Sequence, residues 1–320
     1  MKSLRLGIVL NNGFTLAALA LLTGHLRLAV GSTGLSGSPP SWSIMSSTGV
    51  AVTTSCGTSI QPDSGLLPAG ALDYVVVIGG CLEETPQVDR ATLGYLRDIG
   101  GSSVPIVGVC TGSFVLATAG IMDGRTSCVS WFHYRAFRSR FPHQRVVADR
   151  LFLADGRRIT SVGGVGTAAL ATHLITKHLG ETAATRASQM LMFDRLPTGM
   201  DAQPQPPALD LMTEPRIRRC MILMEQNLES PLPIPEIAAE LCISVRQLER
   251  HCMIHAHMSP SRLYEEVRFH YARWLVENTR RPLGKIAMST GFKGGGHFST
   301  RFKDRFGASP SHLRGGCSQT

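Results

Sequence analysis

A cysteine in the segment Val109-Cys110-Thr111-Gly112-Ser113 has the sequence surroundings of a reactive thiol. The segment follows an apolar run that predicts a buried strand, and it precedes a pattern typical of a helix. A sharp turn from strand to helix exposes a nucleophile and directs helix amides at it, which lowers the pKa of a thiol. Thiol catalysis also needs a base within hydrogen-bonding reach. The pattern therefore predicts either a nucleophile or a thiol at the floor of a binding pocket.

A second kind of chemistry is indicated by an internal repeat between residues 235 and 313. Ser259-Pro260 and Ser309-Pro310 are 50 positions apart, and apolar residues match at the same offset, as Leu248 does with Phe298. Each copy predicts a short helix, a tight turn and a second helix, with Ser244 as the N-cap of the second helix in the first copy. Basic and hydrogen-bonding side chains on the outer face of such a second helix are typical of a helix-turn-helix unit.

The spacing of the two copies bears on what they bind. An ordinary helical bundle with a solvated basic face would explain one such unit, but two units at a fixed spacing favour DNA. Residues 261–278 predict one long helix between them, about 25 Å long at about 1.5 Å per residue. A helix of that length can hold two recognition helices against successive major-groove segments, which lie about 34 Å apart.

The elements that must position Cys110 alternate between strand and helix. Apolar runs predict strands at Leu4–Leu10, Tyr74–Ile78 and Pro105–Val109, and helices follow at residues 114–119 and 167–179. A turn at Asp155-Gly156 predicts a hairpin. This alternation favours a doubly wound α/β sheet. We expect it to span residues 1–196, with a proline-rich linker at 197–213, an all-α DNA-binding domain at 214–314 and a tail at 315–320.

The composition is compatible with this organisation. With 43% hydrophobic and 17% charged residues in 320 positions, the chain is not disordered and is long enough for two domains. The net charge of +9 divides into +4 for residues 1–207 and +5 for residues 208–320. A basic balance fits nucleic acid as a partner, but the positive charge is only slightly denser in the C-terminal part, so charge alone does not settle the function.

The cysteines and the N-terminal segment bear on location. None of the eight cysteines forms a C-x-x-C pair, which argues against a zinc ribbon or a thioredoxin-type site and favours reduced thiols. Lys2 and Arg5 before the apolar run 14–22 superficially resemble a secretory signal, but a strand, a turn and a helix explain the pattern better. No apolar run of about 18 residues predicts a membrane span. We expect a cytoplasmic protein without metal or cofactor.

The C-terminal repeat resembles the AraC/XylS-type DNA-binding domain over residues 214–314. The matching positions combine the apolar core, the turns and the basic recognition faces of both copies: Ile237-Ala238, Ser244-x-Arg246-x-Leu248-x-Arg250, Ser259-Pro260, Ala272-Arg273-x-Leu275, Ile286-Ala287, Gly291-Phe292 and Phe298-Ser299-x-Arg301-Phe302-Lys303-x-x-Phe306-Gly307-x-Ser309-Pro310.

This resemblance and the helical phase imply specific DNA contacts. Base contacts are expected from Arg246, Glu249, Arg250, Gly296, His297 and Thr300. Phosphate contacts are expected from Gln247, Lys293, Arg301 and Lys303. The sequence departs from the pattern where Cys252 replaces an aromatic residue, which predicts a smaller first core. It also departs at His257, which matches Gly307 of the second copy, because a positive φ is expected at this position and glycine adopts it most easily. The glycines at 294–296 should weaken the start of the second recognition helix.

The N-terminal part resembles the DJ-1/PfpI branch of the class I glutamine amidotransferase-like superfamily, which implies a flavodoxin-like sheet. The matching residues surround the predicted turns: Ile78-Gly79-Gly80, Cys110-x-Gly112-Ser113, Leu116-Ala117-x-Ala119-Gly120, Asp123-Gly124-Arg125 and Arg150-Leu151-x-x-Asp155-Gly156. Such a domain ahead of two AraC-type units is similar to the GlxA family of transcriptional regulators.

The resemblance also implies a role for the N-terminal domain. Catalytic relatives carry a histidine about twenty residues after the cysteine, where this chain has Ser130, and Gly24-His25 stands where Glu-Pro is common. We therefore expect no enzymatic activity but a pocket for a small effector, an amino acid or a quaternary amine. Its predicted residues are Gly80, Cys110, Thr111, Trp131 and His133.

The expected partners are double-stranded DNA, RNA polymerase and a second copy of the chain, and the expected role is activation of amino-acid or quaternary-amine catabolism genes. A cysteine-dependent hydrolase or amidase with an accessory DNA-binding domain, a purely structural domain and a redox sensor at Cys110 remain alternatives.

Overall fold

The computed structural model describes residues 4–30, 39–80, 82, 88–203, 214–278, 281–292 and 295–316. Its internal contacts divide the chain into two compact units, residues 1–203 and 204–320. None of the helices in the described part of the chain combines the length and the apolar character that a bilayer span requires.

The first unit alternates strands and helices as the sequence predicts. Its elements, in chain order, are β1 (Arg5–Leu10), α1 (Leu16–Ala29), β2 (Ser41–Met45), β3 (Val52–Thr53), β4 (Ser59–Ile60), β5 (Tyr74–Ile78), α2 (Arg90–Gly101), β6 (Ile106–Val109), α3 (Gly112–Thr118), β7 (Thr126–Cys128), α4 (Tyr134–Arg140), β8 (Arg145–Val147), β9 (Phe152–Asp155), β10 (Arg158–Ser161), α5 (Val165–Leu179) and α6 (Glu181–Met190).

A six-stranded sheet in the order β2-β1-β5-β6-β10-β9 forms the centre of this unit. All neighbours are parallel except β9 and β10, which form the predicted hairpin. Every residue of β5 is buried, because helices cover both faces of the sheet. Leu22 of α1 and Leu170 of α5 pack on one face, and Leu96 of α2 and Val115 of α3 pack on the other. The doubly wound, flavodoxin-like α/β prediction is confirmed.

The first unit extends beyond residue 196, where the linker was expected to begin. The Gly199 carbonyl oxygen accepts hydrogen bonds from the backbone N–H groups of Leu151 (3.0 Å) and Phe152 (3.4 Å). The Gln203 side-chain amide donates to the carbonyl oxygens of Val129 (2.9 Å) and Arg150 (3.0 Å). Residues 197–203 are therefore hydrogen-bonded to the edge of the sheet.

The second unit is entirely helical in its described residues. Its helices are α7 (Pro215–Gln226), α8 (Ile234–Glu240), α9 (Val245–Ala256), α10 (Pro260–Asn278), α11 (Leu283–Ser289), α12 (Gly295–Phe306) and α13 (Pro310–Gly316). The sequence predicts two copies of a helix-turn-helix joined by a long helix, and these copies are α8–α9 and α11–α12, joined by α10.

Two apolar clusters hold the two copies. Leu263 and Val267, in the first half of α10, pack with α7, α8 and α9. Ala272 and Leu275, in its second half, pack with α11 and α12. Because α10 contributes to both clusters, it fixes each helix-turn-helix to one shared helix.

Candidate DNA-binding surface and effector pocket

The first recognition helix, α9, begins with a capping box. The Ser244 side chain accepts a hydrogen bond from the Gln247 backbone N–H (3.2 Å), and the Gln247 side-chain oxygen accepts one from the Ser244 backbone N–H (2.8 Å). This arrangement satisfies two of the amide groups that every helix start leaves without an intrahelical partner. Gln247, predicted as a phosphate contact, therefore uses its carbonyl oxygen within the helix start.

The apolar face of α9 is buried, and its basic face is open. Leu248 and Cys252 have 1% and 0% of their surface exposed. The three residues predicted to contact bases are all exposed: Arg246, Glu249 and Arg250. A helix that buries one side and presents arginine and glutamate side chains on the other has the geometry of a helix that enters the major groove.

The turns of the two copies share one backbone conformation. Cys242 has a φ of 56° in the first copy, and Gly291 has a φ of 76° at the matching place in the second. In each turn the next residue donates its backbone N–H into the preceding helix, from Ile243 to the Ala238 carbonyl oxygen (3.0 Å) and from Phe292 to that of Ala287 (2.9 Å). The positive φ expected at the later helix end is also present, because His257 has a φ of 54° and Gly307 one of 75°.

The second recognition helix, α12, presents a smaller polar face. Phe298 and Phe302 are buried, whereas the predicted contact residues Gly296, His297, Thr300 and Lys303 are exposed. Lys293 lies outside the described residues. The predicted base-contact residues of α12, which are Gly296, His297 and Thr300, have shorter side chains than those of α9, so direct base contacts would require closer approach to the groove.

Arg301 differs from its predicted orientation. Its guanidinium group forms an ion pair with Glu265 of α10 and lies 5.5 Å from the centre of the Phe269 ring. The neighbouring Arg305 pairs with Glu266, whose side chain is 3% exposed and also accepts from Arg262 Nε at 3.2 Å. The pairs of Arg301 and Arg305 fix α12 against α10, and the sequence did not predict them because they join helices that are distant along the chain.

Arg268 of α10 holds the second turn. Its guanidinium group donates to the carbonyl oxygens of Thr290 (2.8 Å) and Gly291 (2.5 Å) and lies 4.3 Å from the centre of the Phe292 ring. Desolvation by burial lowers the pKa of this arginine. The second copy is thus positioned by side chains from the shared helix as well as by its own core.

Cys110 has the strained backbone of a nucleophile elbow. Its φ is 55°, and its backbone N–H donates to the Ser161 carbonyl oxygen (2.9 Å). The Thr15 hydroxyl lies 3.9 Å from the Cys110 sulfur. Gly112 allows the turn, because a Cβ there would overlap the Val77 carbonyl oxygen. Sequence reasoning missed Thr15, which precedes α1 and is distant from Cys110 in sequence.

Two of the five predicted effector residues pack directly against neighbouring groups. The Thr111 hydroxyl is buried and donates to the Gly80 carbonyl oxygen (3.0 Å), and a Cβ at Gly80 would overlap the Gly13 backbone. Gly80 and Thr111 are therefore close-packed rather than available to a ligand.

Trp131 and His133 belong to an aromatic cluster around Phe114. The His133 ring lies edge-on to Phe114, with 6.2 Å between ring centres, and Trp131 packs against the same cluster. Desolvation by burial lowers the pKa of His133 to about 4, so its imidazole is neutral at pH 7. Cluster packing accounts for both rings without a ligand.

A cavity of about 330 Å³ lies instead at the carboxyl ends of β1 and β5. Its lining combines aliphatic and neutral polar side chains with one carboxylate: Val9, Leu10, Asn11, Asn12, Met45, Ser46, Thr48, Val50, Ala51, Val52, Val77, Val88, Asp89, Thr92 and Val115. Among these described residues there is neither a basic side chain nor an aromatic ring. None of the five predicted effector residues lines this cavity.

Comparisons with known proteins agree with the two-unit architecture. Residues 40–177 match the DJ-1/PfpI family, and residues 237–316 match a helix-turn-helix domain family. The HTH-type transcriptional regulator GbdR of Pseudomonas aeruginosa strain UCBPP-PA14 is 34% identical over 313 residues, which cover 97% of this chain and 84% of GbdR. The HTH-type transcriptional regulator GlxA of Rhizobium meliloti strain 1021 is 30% identical over 97% of this chain and 95% of GlxA.

Solved structures support the fold of the first unit. A THiJ/PfpI family protein from Pseudomonas syringae covers 75% of this chain with a TM-score of 0.51 at 20% identity. An AraC family transcriptional regulator from Pseudomonas putida covers 59% with a TM-score of 0.50 at 21% identity.

The fold and the exposed recognition helices define a DNA-binding regulator in which a DJ-1/PfpI-type α/β unit precedes two helix-turn-helix units. Transcriptional regulators of this architecture match nearly the whole chain. The chain belongs to the GlxA-type family of HTH transcriptional regulators with an AraC-type DNA-binding domain.

Proposed function

We propose that the chain binds a small amine or amino acid in its first unit and, in response, activates genes for amino-acid or quaternary-amine catabolism. The observation that carries this proposal is a cavity of about 330 Å³ within the α/β unit of a chain whose other unit binds DNA. Pockets of roughly 300–1,000 Å³ with few polar groups are typical of small-molecule sites.

The first unit acts in this proposal as a sensor rather than as an enzyme. The Cys110 thiol has the Thr15 hydroxyl 3.9 Å away, and Ser130 stands where catalytic relatives carry a histidine. With a pKa of about 4, His133 would be a weak general base, because an efficient one has a pKa near the working pH. Cys110-dependent hydrolysis of any compound in an amide panel, absent in Cys110→Ala, would contradict this part.

The second unit reads DNA through the exposed faces of α9 and α12. Arg246 and Arg250 have the geometry to pair with guanine edges, and Glu249 can accept a hydrogen bond from cytosine. Gly296, His297 and Thr300 are proposed to approach bases from α12. We propose that phosphates are contacted by the side-chain amide nitrogen of Gln247 and by the ammonium groups of Lys293 and Lys303. The ion pair with Glu265 directs Arg301 toward α10 instead.

The chain is further proposed to act in the cytoplasm as a homodimer that contacts RNA polymerase. Pairing of two chains would place four helix-turn-helix units on a two-fold symmetric operator, as dimeric regulators commonly do.

The test combines ligand binding with DNA binding by the full chain. An operator is first obtained by in vitro selection from random DNA, and its affinity is measured by fluorescence anisotropy. Amino acids and quaternary amines are then screened by thermal shift, where a ligand raises the unfolding temperature in a concentration-dependent manner. A ligand found in this way should change operator affinity. A ligand that stabilises the chain without any effect on operator affinity or transcription would contradict the sensor role.

A further inference from the structure

The cavity of about 330 Å³ occupies the topological switch point of the sheet. In the order β2-β1-β5-β6-β10-β9, strands that follow β1 in the chain lie on both of its sides, so the strand order reverses between β1 and β5. Val9, Leu10 and Asn11, at the end of β1, and Val77, at the end of β5, line the cavity. In open α/β sheets, ligands bind outside the carboxyl ends of the strands at such a reversal.

The floor and the rim of this cavity differ in chemistry. Val9, Met45, Val77 and Val115 are each at most 5% exposed and form an aliphatic floor. The rim carries amide and hydroxyl groups together with the carboxylate of Asp89. A ligand that fits both parts has a short aliphatic body and a polar or charged end.

The carboxylate at the rim is fixed in place. Asp89 caps α2, and its two oxygens accept from the Thr92 backbone N–H (2.9 Å) and the Thr92 hydroxyl (2.6 Å). The Ser47 hydroxyl and the Ala91 backbone N–H also form hydrogen bonds with this carboxylate, so a ligand cation would share it with Thr92, Ser47 and Ala91.

Asp89 gives the described lining a charge of one negative unit. Partial burial acts to raise the pKa of Asp89, but hydrogen bonds from Thr92, Ser47 and Ala91 outweigh it and leave the pKa below its ordinary value. The described lining holds no basic side chain that would neutralise this charge.

We propose that this cavity is the effector site and that it selects a cation with N–H donors, an ammonium or guanidinium group, on a short aliphatic body. The proposal rests on the sensor function and adds a location and a ligand class. An N–H cation can pair with Asp89 through charge-assisted hydrogen bonds. A quaternary ammonium group has no N–H and is bound in proteins mainly by aromatic rings, which the described lining lacks and which do not occur in the sequence of residues 81–87.

The test measures binding of named amines to the full chain by isothermal titration calorimetry. L-arginine, agmatine, L-lysine and putrescine supply N–H cations, and choline, glycine betaine and L-carnitine supply quaternary ones. At least one N–H cation should bind at least tenfold more tightly than every quaternary compound. Equal or tighter binding of a quaternary compound would overturn the ligand class, and no binding by any of the seven would overturn both this proposal and the proposed sensing of amines.

Three variants locate the site. Asp89→Asn removes the charge but keeps the helix cap, since asparagine caps as well as aspartate. It should weaken the binding of N–H cations by about 10- to 100-fold. Ala51→Trp places a large ring at the exposed edge of the cavity and should abolish binding of every cation. Asp98→Asn, an exposed carboxylate on the same helix outside the cavity, is the matched control and should bind as the parent does.

The same variants separate the two proposals. If an N–H cation binds and regulates DNA binding but neither Asp89→Asn nor Ala51→Trp affects it, the cavity is not the effector site, while the sensor function stands. Thermal unfolding of Asp89→Asn controls for folding, and loss of binding with an unchanged unfolding temperature supports the cavity.

Discussion

The turns of the two helix-turn-helix units adopt the same left-handed conformation, but one uses cysteine and the other glycine. Cys242 has a φ of 56°, and Gly291 has one of 76°. For a residue with a Cβ this region costs about 1–2 kcal/mol, whereas glycine adopts it freely. Glycine loses about 0.5–1 kcal/mol more conformational entropy on folding. Cys242→Gly should therefore stabilise the second unit by about 0.5–1 kcal/mol, since the exposed thiol contributes little packing.

The reciprocal change, Gly291→Ala, should be far more disruptive. The new Cβ would incur the same strain of about 1–2 kcal/mol. It would also overlap the Leu228 carbonyl oxygen, a backbone atom of a fully buried residue that cannot move aside easily. Overpacking of this kind adds about 1–3 kcal/mol, so the sum is about 2–5 kcal/mol. Because Arg268 donates to the Gly291 carbonyl oxygen, its contact should loosen as well.

Differential scanning calorimetry of the full chain would measure both variants, with hydrogen exchange of α8–α9 and α11–α12 peptides to locate the change. For a unit of about 100 residues, Cys242→Gly should raise the unfolding temperature by about 2–8 °C. Gly291→Ala should speed exchange in α11 and α12 and weaken operator binding. If Gly291→Ala unfolded like the parent, or Cys242→Gly destabilised the first copy, the assignment of strain to these turns would be refuted.

Three further predictions concern DNA contacts and titrating groups. Arg246→Ala should weaken binding to selected operators by about 1–3 kcal/mol more than binding to random DNA, and equal losses on both DNAs would exclude a base contact. Lys303→Ala should weaken binding to both DNAs alike and reduce the slope of log affinity against log salt concentration by about one. Burial raises the pKa of Glu225 from 4.5 to about 8, so the folded chain keeps a proton that the unfolded chain loses, and stability falls between about pH 4.5 and pH 8. Glu225→Met should remove that fall in pH-dependent unfolding. Burial lowers the pKa of His133 from 6.5 to about 4, so the folding stability that this residue contributes above pH 6.5 is lost as the pH falls toward 4. His133→Phe should therefore retain more stability than the parent at about pH 4.5. An unchanged pH profile of unfolding would contradict the burial of His133.

Local sequence signals predicted those features whose causes are local. The apolar run 74–78 predicts a strand covered on both faces, and β5 is buried throughout. Ser244 predicts a helix start because its hydroxyl accepts from an amide three residues later, and the capping box is present. The repeat predicts two turns of the same geometry, which Gly291 and Cys242 share.

Features that depend on packing between distant segments were not predicted. The ion pair between Arg301 and Glu265 forms only because α12 lies on α10, and nothing near Arg301 in sequence indicates it. The cavity at the end of β1 depends on the segment after β2 and on the start of α2, neither of which has a strong periodic pattern. The effector residues were predicted from the motifs around Gly80, Cys110 and Trp131, but those motifs do not indicate the close packing that fills the space around Gly80 and Thr111.

The two helix-turn-helix units are therefore not equivalent, although they repeat one pattern. The first has a recognition helix stabilised at its own start by Ser244 and Gln247, with long basic side chains on its exposed face. The recognition helix of the second unit begins at Gly295, and its Arg301 pairs with Glu265 of α10, while Arg268 of α10 donates to the preceding turn at Gly291. The second helix-turn-helix is thus held to α10 by charged side chains as well as by apolar packing.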